Sequence, residues 1–454
     1  MALSVIILAA GQGKRMHSDL PKVSQILGGA TLLEHVVAGA TALEAKNIIV
    51  VYGHGGEQVR ARHAQLPVQW VLQAEQLGTG HAVKQALPQV PDGDLALVLY
   101  ADVPLVRAET LQRLTDSAKS GHLAVLTAKV PDPKGYGRMM RDAAGRVQRI
   151  VEEKDTSASE KYIDEINTGL MACDAARLRG WLAKVSNKNA QKEYYLTDVI
   201  AMAVADGVTV DGVLAEDHNE IRGINDKLQL AQAEKALRKR IANEFMLAGL
   251  TLRDPRRFDL RGQLSFGRDC VIDVNCVLEG RVKLGNRVKI GPGAVIRDCD
   301  IGDDTEVLAH CVLDGAKIGT KVRIGPFARI RPESELGDES HVGNFVEVKK
   351  TKLGKGSKAN HLAYVGDAQV GEKVNIGAGV ITCNYDGTHK HVTTIGDGAF
   401  IGSDTTLVAP VTIGAGAYIG AGSTITRDAP AGQLTLARAR QETKAGWQPP
   451  AKKK

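Results

Sequence analysis

The chain has 454 residues, of which 43% are apolar and 24% are charged, and its formal net charge is +6. This composition is ordinary for a water-soluble protein of two or three domains, and the weak, dispersed charge does not indicate nucleic-acid binding. Six cysteines without a C-x-x-C pair predict neither a zinc site nor a disulfide framework. The apolar opening segment is too short to span a membrane and lacks the basic start of a signal peptide, so we expect a cytoplasmic protein.

Residues 1 to about 225 alternate short β-rich runs with helical patterns. The predicted strands are SVIILAA, NIIVVYG, PVQWVLQ, LALVLYADVPL and HLAVLTAKV. The predicted helices are TLLEHVVAGATAL, GHAVKQAL, AETLQRLTDSA and YYLTDVIAMAVADG. Because the two kinds of element alternate along the chain, they predict an α/β domain with a mostly parallel sheet.

A longer helical pattern follows, and we interpret it as a connecting helix about 35 Å long. Asn225 or Asp226 can cap its start, and Gly249 can end it. Its apolar stripe consists of Leu230, Leu237, Ile241 and Phe245. The predicted organisation is a first domain over residues 1–225, a linker helix over 226–249 and a second domain over 250–454 with a solvated AKKK tail.

The second half has a different period. Aliphatic residues recur every six positions, with two steps of five, at Leu284, Ile290, Ile296, Ile301, Val307, Leu313, Ile318, Ile324, Ile330, Leu336, Val342 and Val348, and again at Ile395, Ile401, Leu407, Ile413, Ile419 and Ile425. A parallel β-helix has this period, with an inward aliphatic residue on each side and a small residue at each corner. The period breaks between Ile376 and Ile395, so TCNYDGTHKHVTT is predicted to be a projecting, functional loop.

The segment LAAGQGKRMHSDLPK follows the first predicted strand. Gly11 and Gly13 allow the backbone to approach a ligand, so that its N–H groups can face phosphate oxygens. The segment matches neither G-x-G-x-x-G nor the P-loop motif, and a lone G-x-G is often a plain tight turn. The extended string, with Arg15, Pro21 and Lys22 in place, is more specific and resembles the signature of sugar-1-phosphate nucleotidyltransferases.

Two further segments point to the same chemistry. Asp102 in LYADVPL ends an apolar strand, where α/β sheets present their ligands, and its carboxylate could hold magnesium beside a triphosphate. Taken alone, it could also be an ordinary turn residue before Pro104. Gln73, Gly78 and Thr79 in LQAEQLGTGHAV offer amide and backbone groups that suit the edge of a base.

The specific strings now extend over essentially residues 3–454. They are LPKV, VLQAEQLGTGHA, DVPL, GYGR, EINTG, RIGPFARIRP, HVGNFVEVKK, LGKGSK, VNIGAG, ITCNYDG and LVAPVTIG. In these strings the chain resembles the bacterial family of bifunctional N-acetylglucosamine-1-phosphate uridylyltransferases and glucosamine-1-phosphate N-acetyltransferases. The resemblance implies an α/β Rossmann-like nucleotidyltransferase domain followed by a left-handed parallel β-helix of hexapeptide repeats.

For the first domain, the resemblance implies transfer of a uridylyl group from UTP to N-acetylglucosamine-1-phosphate, with release of pyrophosphate. No protein nucleophile is needed, because catalysis of this transfer rests on positioning the reactants and stabilising the charge of the transition state. Magnesium is the implied cofactor, with Asp102 and Asn225 as its ligands. The implied contacts to UTP and the UDP-sugar are Leu8, Ala9, Ala10, Gly11, Lys22, Gln73, Gly78, Thr79, Tyr100, Ala101, Asp102, Gly137, Glu152, Asn167 and Asn225.

For the β-helix, the resemblance implies acetyl transfer from acetyl-CoA to the amine of glucosamine-1-phosphate. His361 is the implied catalytic base, since an imidazole titrates in the useful range, although a lone histidine is more often an ordinary surface or core residue. The implied glucosamine-phosphate contacts are Arg331, Lys349, Tyr364, Asn375 and Lys390. The implied acetyl-CoA contacts are Ala378, Asn384, Tyr385, Ser403, Ala421 and Arg438.

Two positions depart from the family pattern. Ala101 stands where glycine is expected and adds a methyl group near the uridine phosphates. Asn360 also stands where glycine is expected, and because asparagine tolerates left-handed backbone conformations, we expect it to keep the same turn.

The resemblance further implies a homotrimer, with acetyl-CoA held between subunits, and a product, UDP-N-acetylglucosamine, that feeds peptidoglycan and lipopolysaccharide synthesis. One alternative is a single-activity sugar-1-phosphate nucleotidyltransferase whose β-helix is structural or regulatory. His361 and the predicted loop argue against it. A second alternative is a non-catalytic scaffold, against which Lys22 and Asp102 argue.

Overall fold

The computed structural model of the chain describes residues 1–11, 13–53, 55–189 and 191–450. The chain divides into two compact units, Met1–Leu237 and Arg238–Lys454. The predicted AKKK tail lies outside the described residues. None of the helices in this described part of the chain combines the length and the apolarity that a membrane span needs.

The first unit contains eleven described strands and six helices before the connecting helix. The strands are β1 Leu3–Ala9, β2 Ile26–Leu27, β3 Ala30–Thr31, β4 Asn47–Gly53, β5 Gln69–Gln73, β6 Leu95–Tyr100, β7 Leu123–Lys129, β8 Arg138–Arg141, β9 Val147–Val151, β10 Glu165–Asp174 and β11 Val210–Leu214. The helices are α1 Leu32–Ala42, α2 Glu57–Arg62, α3 Thr79–Ala86, α4 Ala108–Lys119, α5 Ala175–Lys184 and α6 Asp198–Ala205, and the connecting helix is α7 Lys227–Leu247.

The main sheet has the strand order β11-β7-β10-β6-β1-β4-β5. Its neighbours pair in parallel except at β10, which is antiparallel to both β6 and β7. The hairpin of β8 and β9 joins the sheet through β10. The predicted α/β domain with a mostly parallel sheet is confirmed, although the sequence prediction did not include β2, β3, β8 to β11, α2 or α5. Because β1 lies between β4 and β6, the carboxyl ends of β1 and β6 meet at a switch point, where such sheets bind ligands.

Apolar residues cover both faces of this sheet. Along β1, Val5 and Ile7 pack on one side, whereas Ile6 packs on the other. Parallel strands buried on both faces read as the continuous apolar runs seen in the sequence. Helix α1 begins with a capping box, in which Glu34 N donates to Thr31 Oγ1 (3.1 Å) and Thr31 N donates to Glu34 Oε2 (2.6 Å).

The connecting helix α7 has the predicted ends. Its N-cap is Asp226, because Gln229 N donates to Asp226 Oδ1 at 2.8 Å. After its last turn, Gly249 adopts a φ of 101°, which glycine tolerates without a steric cost. In the second unit, Phe245 makes edge-on ring contacts with Phe266 at a centroid distance of 5.4 Å, so this part of the helix belongs to the core of the coil.

The second unit is a coil of short strands. They are β12 Thr251–Leu252, β13 Phe258–Phe266, β14 Val271–Ile272, β15 Cys276–Leu284, β16 Lys289–Ile290, β17 Val295–Arg297, β18 Asp300–Ile301, β19 Glu306–Val307, β20 Val312–Asp314, β21 Lys317–Ile318, β22 Arg323–Ile324, β23 Arg329–Ile330, β24 Glu335–Leu336, β25 His341–Asn344, β26 Glu347–Lys349, β27 Lys352–Leu353, β28 Lys358–His361, β29 Tyr364–Gly366, β30 Ala368–Val370, β31 Asn375–Ile376, β32 Ile381–Cys383, β33 Thr393–Ile395, β34 Phe400–Ile401, β35 Thr406–Val408, β36 Val411–Ile413, β37 Tyr418–Ile419, β38 Thr424–Ile425 and β39 Leu434–Thr435.

The coil is the predicted parallel β-helix. Each strand pairs in parallel with a strand one coil later, as in Ile296↔Leu313 and Ile330↔Val348. Every aliphatic residue of the predicted six-residue beat is buried, and these residues form one continuous core. The predicted fold class is therefore confirmed. Stacking makes this core possible, since a single six-residue unit could not bury its aliphatic residue alone.

Some corners of the coil differ from the prediction of a small residue. His310, Phe327, Phe345 and Leu362 all adopt a positive φ between 49° and 58°. Their side chains form a column in which the His310–Phe327 and Phe327–Phe345 ring centroids lie 5.2 and 5.5 Å apart. Phe345 is 56% exposed and Leu362 is 62% exposed, so the column, called the corner ladder below, is an apolar strip on the surface of the unit.

The predicted interruption lies between β32 and β33. Residues 384–392 leave the coil, and Tyr385 pairs with Lys390 in an isolated antiparallel bridge. The expectation for Asn360 was wrong, because this residue lies inside β28 and has no left-handed conformation. The left-handed residue is Leu362, which turns the corner after the strand.

Candidate functional sites

A cavity of about 280 Å³ lies at the carboxyl ends of β1, β5 and β6. Its lining residues are Leu8, Ala9, Ala10, Gly11, Lys22, Val23, Gln73, Gln76, Gly78, Thr79, Ala82, Tyr100, Asp102 and Glu193. Ten of these are predicted nucleotide-binding residues that come from five separate stretches of sequence. The fold therefore gathers most of the predicted set around one cavity.

Three side chains converge at one side of this cavity, where Lys22 and Asp102 line it. Lys22 Nζ lies 2.5 Å from Asp102 Oδ2 and 3.3 Å from Asn225 Oδ1. The carboxylate and amide oxygens thus converge on a single positive charge. The approach of Lys22 requires Gly13, which has a φ of 62° and whose added Cβ would lie 2.6 Å from Lys22 Cβ.

A second group of predicted residues lies beside the cavity, where the β8–β9 hairpin meets β10. Asn167 N donates to Gly137 O at 2.8 Å, and a Cβ at Gly137 would lie 3.5 Å from Glu152 Oε2. Burial raises the pKa of Glu152, although a hydrogen bond from Thr197 (3.0 Å) opposes this shift. The partly buried carboxyl group of Glu152 therefore lies beside Gly137, another residue of the predicted sugar-binding set.

The phenol of Tyr100 lies close to both Asp102 and Glu152. Burial raises the pKa of the Tyr100 phenol, and the nearby charges of Asp102 and Glu152 raise it further. The phenol is thus neutral at physiological pH and can donate a hydrogen bond. Ala101 is fully buried in the core, and its N–H donates to Leu8 O at 3.0 Å, so its extra methyl group faces the core rather than the cavity.

In the second unit, positive side chains cluster around the projecting loop. Arg331 Nη1 lies 2.9 Å from Glu347 Oε1, and Lys349 Nζ donates to Asp367 Oδ2 at 3.0 Å. The pKa of Lys390 is lowered mainly by the adjacent Lys349 ammonium group. Three cations gathered in this way form a suitable binding surface for a phosphate dianion.

His361 lies at the end of β28, on the exposed side of the coil. Its Nδ1 is 2.8 Å from Asn344 Oδ1, on the strand one coil earlier. If Nδ1 carries the proton and donates to Asn344, then Nε2 is the unprotonated nitrogen. The pair therefore fixes the ring and leaves a basic nitrogen free, as a general base requires.

The predicted acetyl-CoA residues fall into two places. Asn384 and Tyr385 lie in the projecting loop, and Asn384 Nδ2 is 3.5 Å from Tyr364 OH. The others follow successive strands of one sheet, where Arg438 Nη1 donates to Ala421 O at 2.8 Å. The members of this column are Ala378, Ser403, Ala421 and Arg438. Asn375 lies on β31, at the start of the same column.

Three family models match parts of the chain. A MobA-like NTP transferase domain matches residues 5–164, and a GMPPB C-terminal domain matches residues 260–354. The bacterial transferase hexapeptide model, with six repeats, matches residues 393–427. A solved structure, UDP-glucose pyrophosphorylase complexed with UDP-glucose, is 14% identical to this chain with a TM-score of 0.44. The match covers 53% of this chain and all of that one.

Curated relatives match the whole chain. The bifunctional protein GlmU of Alkalilimnicola ehrlichii is 56% identical over 100% of this chain and 97% of its own length. The bifunctional protein GlmU of Aromatoleum aromaticum is 57% identical over 100% of this chain and 99% of its own length. The chain belongs to the bifunctional GlmU family.

Membership of the GlmU family confirms the predicted function. The chain is a uridylyltransferase and an acetyltransferase, and the single-activity alternative is not favoured. Its substrate classes are nucleotide sugars and acyl-CoA, and nucleotidyl transfer in this family uses a divalent metal ion. The roles of individual residues remain predictions.

Several residues at these sites were absent from the sequence prediction. Gln76 lines the cavity, and its Nε2 donates to Ala10 O at 2.6 Å. It lies in a quoted family string, three residues after Gln73, and could have been found there. Asn344 and Asp367 were also missed, because each acts on a residue one coil away, at a separation of 17.

Proposed function

We propose that the first unit transfers the uridylyl group of UTP to N-acetylglucosamine-1-phosphate, giving UDP-N-acetylglucosamine and pyrophosphate. The observation that carries this proposal is the convergence of Asp102 and Asn225 on Lys22, with Lys22 and Asp102 lining the cavity. A phosphate oxygen of the sugar phosphate attacks the α-phosphorus of UTP, and the bond to the β-phosphate breaks. Lys22 and the backbone N–H groups near Gly11 stabilise the charge that develops.

Two of these side chains, Asp102 and Asn225, fit a magnesium ion. Oxygen atoms of a carboxylate and an amide are ligands that magnesium prefers, and the ion commonly takes only one or two protein ligands together with water and phosphate oxygens. Asp102 and Asn225 supply two such oxygens, already directed at one cation. When bound, the ion supplies positive charge beside the phosphates. We assign Mg²⁺ to these two residues.

Sugar selection is assigned to the group beside the cavity. Gly137, Glu152 and Asn167 contact the N-acetylglucosamine ring, and Tyr100 lies beside them. Gln73, Gly78 and Thr79 face the uracil and ribose, and Gln73 Nε2 donates to Gly78 O at 3.1 Å, which fixes the amide. A missing ring hydroxyl would leave these buried polar groups unpaired, which is how such a site discriminates between sugars.

We assign acetyl transfer to the β-helix. His361 Nε2 removes a proton from the amine of glucosamine-1-phosphate, which then attacks the thioester of acetyl-CoA and expels the thiolate. Asn344 holds the ring in the required tautomer. Arg331, Lys349 and Lys390 bind the phosphate.

Each assignment has a direct test. With UTP and N-acetylglucosamine-1-phosphate, Asp102→Asn should release pyrophosphate at less than about 1% of the wild-type rate, because it removes a charge from the metal site. A wild-type rate would remove Asp102 from the site. For acetyl transfer, Asn344→Ala should lower kcat and move the pH profile of thiol release, whereas a rate and profile equal to wild type would remove it.

The corner ladder supports a homotrimer. Exposed aromatic side chains in positive-φ conformations are costly in a monomer, and closed cyclic symmetry is the usual way to bury a repeated face. His361 directly precedes Leu362 of the ladder, so burying the ladder would place the catalytic base near a neighbouring subunit. Phe345→Ser should lower the sedimentation coefficient of the full chain from that of a trimer and reduce acetyl transfer. A trimer of unchanged stability would exclude the ladder from the interface.

A cytoplasmic location and a supply of precursor to peptidoglycan and lipopolysaccharide follow from these substrates and this product. UTP and acetyl-CoA are cytoplasmic metabolites, and the cysteines are unpaired, five of them buried. Fractionation of cells with an antibody against the chain, together with measurement of UDP-N-acetylglucosamine after its depletion, tests both statements. A membrane-bound pool or an unchanged nucleotide-sugar level would contradict them.

A further inference from the structure

Asp367 lies between the two predicted subsites of the β-helix and belongs to neither predicted set. It turns the corner between β29 and β30 with a φ of 49° and is 8% exposed. Its backbone is fixed on both sides, because Asp367 N donates to Lys349 O (2.9 Å) and Thr393 N donates to Asp367 O (3.2 Å). The carboxylate is thus placed by the coil rather than by a mobile loop.

One oxygen of this carboxylate binds two functional side chains. Asp367 Oδ2 accepts a hydrogen bond from Lys349 Nζ at 3.0 Å and a short hydrogen bond from Asn384 Nδ2. Lys349 is assigned to the phosphate of glucosamine-1-phosphate, whereas Asn384 is assigned to acetyl-CoA. The two subsites therefore share a single anchoring atom.

The charge around Asp367 explains why an anion is needed there. Lys349 and Lys390 lie close enough for each to shift the pKa of the other, and the side chain of Lys349 is only 15% exposed. Burial raises the pKa of Asp367, but hydrogen bonds from Lys349 and Asn384 outweigh this and hold it below its ordinary value. The group is therefore a carboxylate at neutral pH and offsets the repulsion between the two ammonium groups.

We propose that Asp367 is a positioning residue that couples the glucosamine-1-phosphate and acetyl-CoA subsites, by holding Lys349 and Asn384 on one carboxylate oxygen. It touches neither substrate and acts through these two side chains. The proposal rests on the assignment of Lys349 and Asn384 to different substrates. Loss of the charge at residue 367 therefore weakens the binding of both substrates, although only one residue changes.

The test uses the full-length protein and steady-state acetyl transfer. Asp367→Asn keeps the size of the side chain and removes its charge. It should raise the KM for glucosamine-1-phosphate and the KM for acetyl-CoA by about 10-fold each, the usual effect of losing a charged hydrogen-bond partner. Uridylyl transfer by the same molecules should stay at the wild-type rate, which serves as an internal control.

A crossed pattern in double variants separates positioning from general damage. Lys349→Met alone should raise the KM for glucosamine-1-phosphate, and Asn384→Ala alone should raise the KM for acetyl-CoA. Adding Asp367→Asn to Lys349→Met should then raise only the acetyl-CoA KM further. Adding it to Asn384→Ala should raise only the glucosamine-1-phosphate KM further.

The outcomes are distinguishable. Additive increases in both double variants, a single affected KM in Asp367→Asn, or two unchanged KM values would each overturn the proposal. If Asp367→Asn does not fold, the Lys349→Met/Asp367→Asn variant, which removes both charges, still tests the proposal. An acetyl-CoA KM in this double variant equal to that of Lys349→Met would overturn the proposal. If Lys349→Met and Asn384→Ala change neither KM, the subsite assignments fail, and the proposal fails with them.

Discussion

Gly13→Ala tests how the phosphate loop positions Lys22. Gly13 has a φ of 62°, and an added Cβ would lie 2.6 Å from Lys22 Cβ and 3.4 Å from Lys22 N. The first distance is far below any normal contact between carbon atoms, so the backbone around Lys22 has to move. Lys22 Nζ, which lies 2.5 Å from Asp102 Oδ2, would then leave its position in the lining of the cavity.

Two contributions set the size of the effect. A left-handed alanine costs about 1–2 kcal/mol of stability. A misplaced Lys22 loses one charge-assisted hydrogen bond to phosphate, about 1.5–3 kcal/mol, which corresponds to a roughly 10- to 150-fold lower rate. We therefore expect uridylyl transfer to fall by this factor, with a modest loss of stability and no change in acetyl transfer.

The assay is pyrophosphate release from UTP and N-acetylglucosamine-1-phosphate, run beside thiol release from acetyl-CoA. Gly121→Ala is the matched control, because Gly121 has a φ of 87° and no atom within 4 Å of an added Cβ. It should lose similar stability and keep both activities. A Gly13→Ala protein with wild-type uridylyl transfer would refute the positioning role of the loop.

Three other perturbations test separate parts of the structure. Glu152→Gln removes a carboxyl group whose pKa is raised by burial, so ionisation of the wild-type residue costs stability as pH rises. The variant should therefore unfold at a higher temperature than wild type at pH 8, but not below pH 4. Its KM for N-acetylglucosamine-1-phosphate should rise about 10-fold. An unfolding temperature equal to wild type at pH 8 would contradict this. Ile330 is a fully buried inward residue of the coil, and Ile330→Ala should lower the free energy of unfolding, measured with denaturant, by about 2–5 kcal/mol. The same change at its exposed neighbour, Arg329→Ala, should lower it by less than about 0.5 kcal/mol. Equal losses would exclude the inward aliphatic residues as the source of stability. Asp386→Asn should raise the KM for glucosamine-1-phosphate several-fold. The carboxylate accepts hydrogen bonds from Thr388 N, His389 N and His391 Nε2 and so shapes the loop that carries Lys390. An unchanged KM would mean that the loop holds its shape without this carboxylate.

The coil was predictable because its information is local. Each inward residue, such as Ile401 or Ile413, follows the previous one at a fixed step, and every coil repeats the same packing problem. The phosphate loop was predictable for a related reason, since Gly11, Gly13 and Lys22 lie within one short segment. The structure adds that Gly13 is needed for its left-handed backbone and for the close approach of Lys22.

Elements whose pairing depends on distant segments were missed. Strand β10 is antiparallel to two parallel-sheet strands, β6 and β7. Its sequence, EINTGLMACD, has no clean alternation because both of its faces are buried in the core. Asn344 and Asp367 were missed because their partners follow or precede them by one full coil. That separation has meaning only when the register of the coil is known.

The large corner residues could not be predicted from the steric preference for small ones. Phe327 and Phe345 adopt a conformation that is costly for an aromatic residue, and both side chains are exposed. Their exposed stack has a physical reason only if another surface covers it, which is the role that the proposed trimer gives to it.

We propose that one chain holds two separate active sites, and that the product of the acetyltransferase site is a substrate of the uridylyltransferase site. The most direct measurement supplies UTP, acetyl-CoA and glucosamine-1-phosphate to Asp102→Asn and His361→Ala proteins, separately and as a mixture, and analyses the products. Asp102→Asn should accumulate N-acetylglucosamine-1-phosphate, and His361→Ala should acetylate at least about 100-fold more slowly while still converting added N-acetylglucosamine-1-phosphate. The mixture should make UDP-N-acetylglucosamine. Loss of both activities in either variant, or a mixture that makes no more product than its parts, would contradict the account.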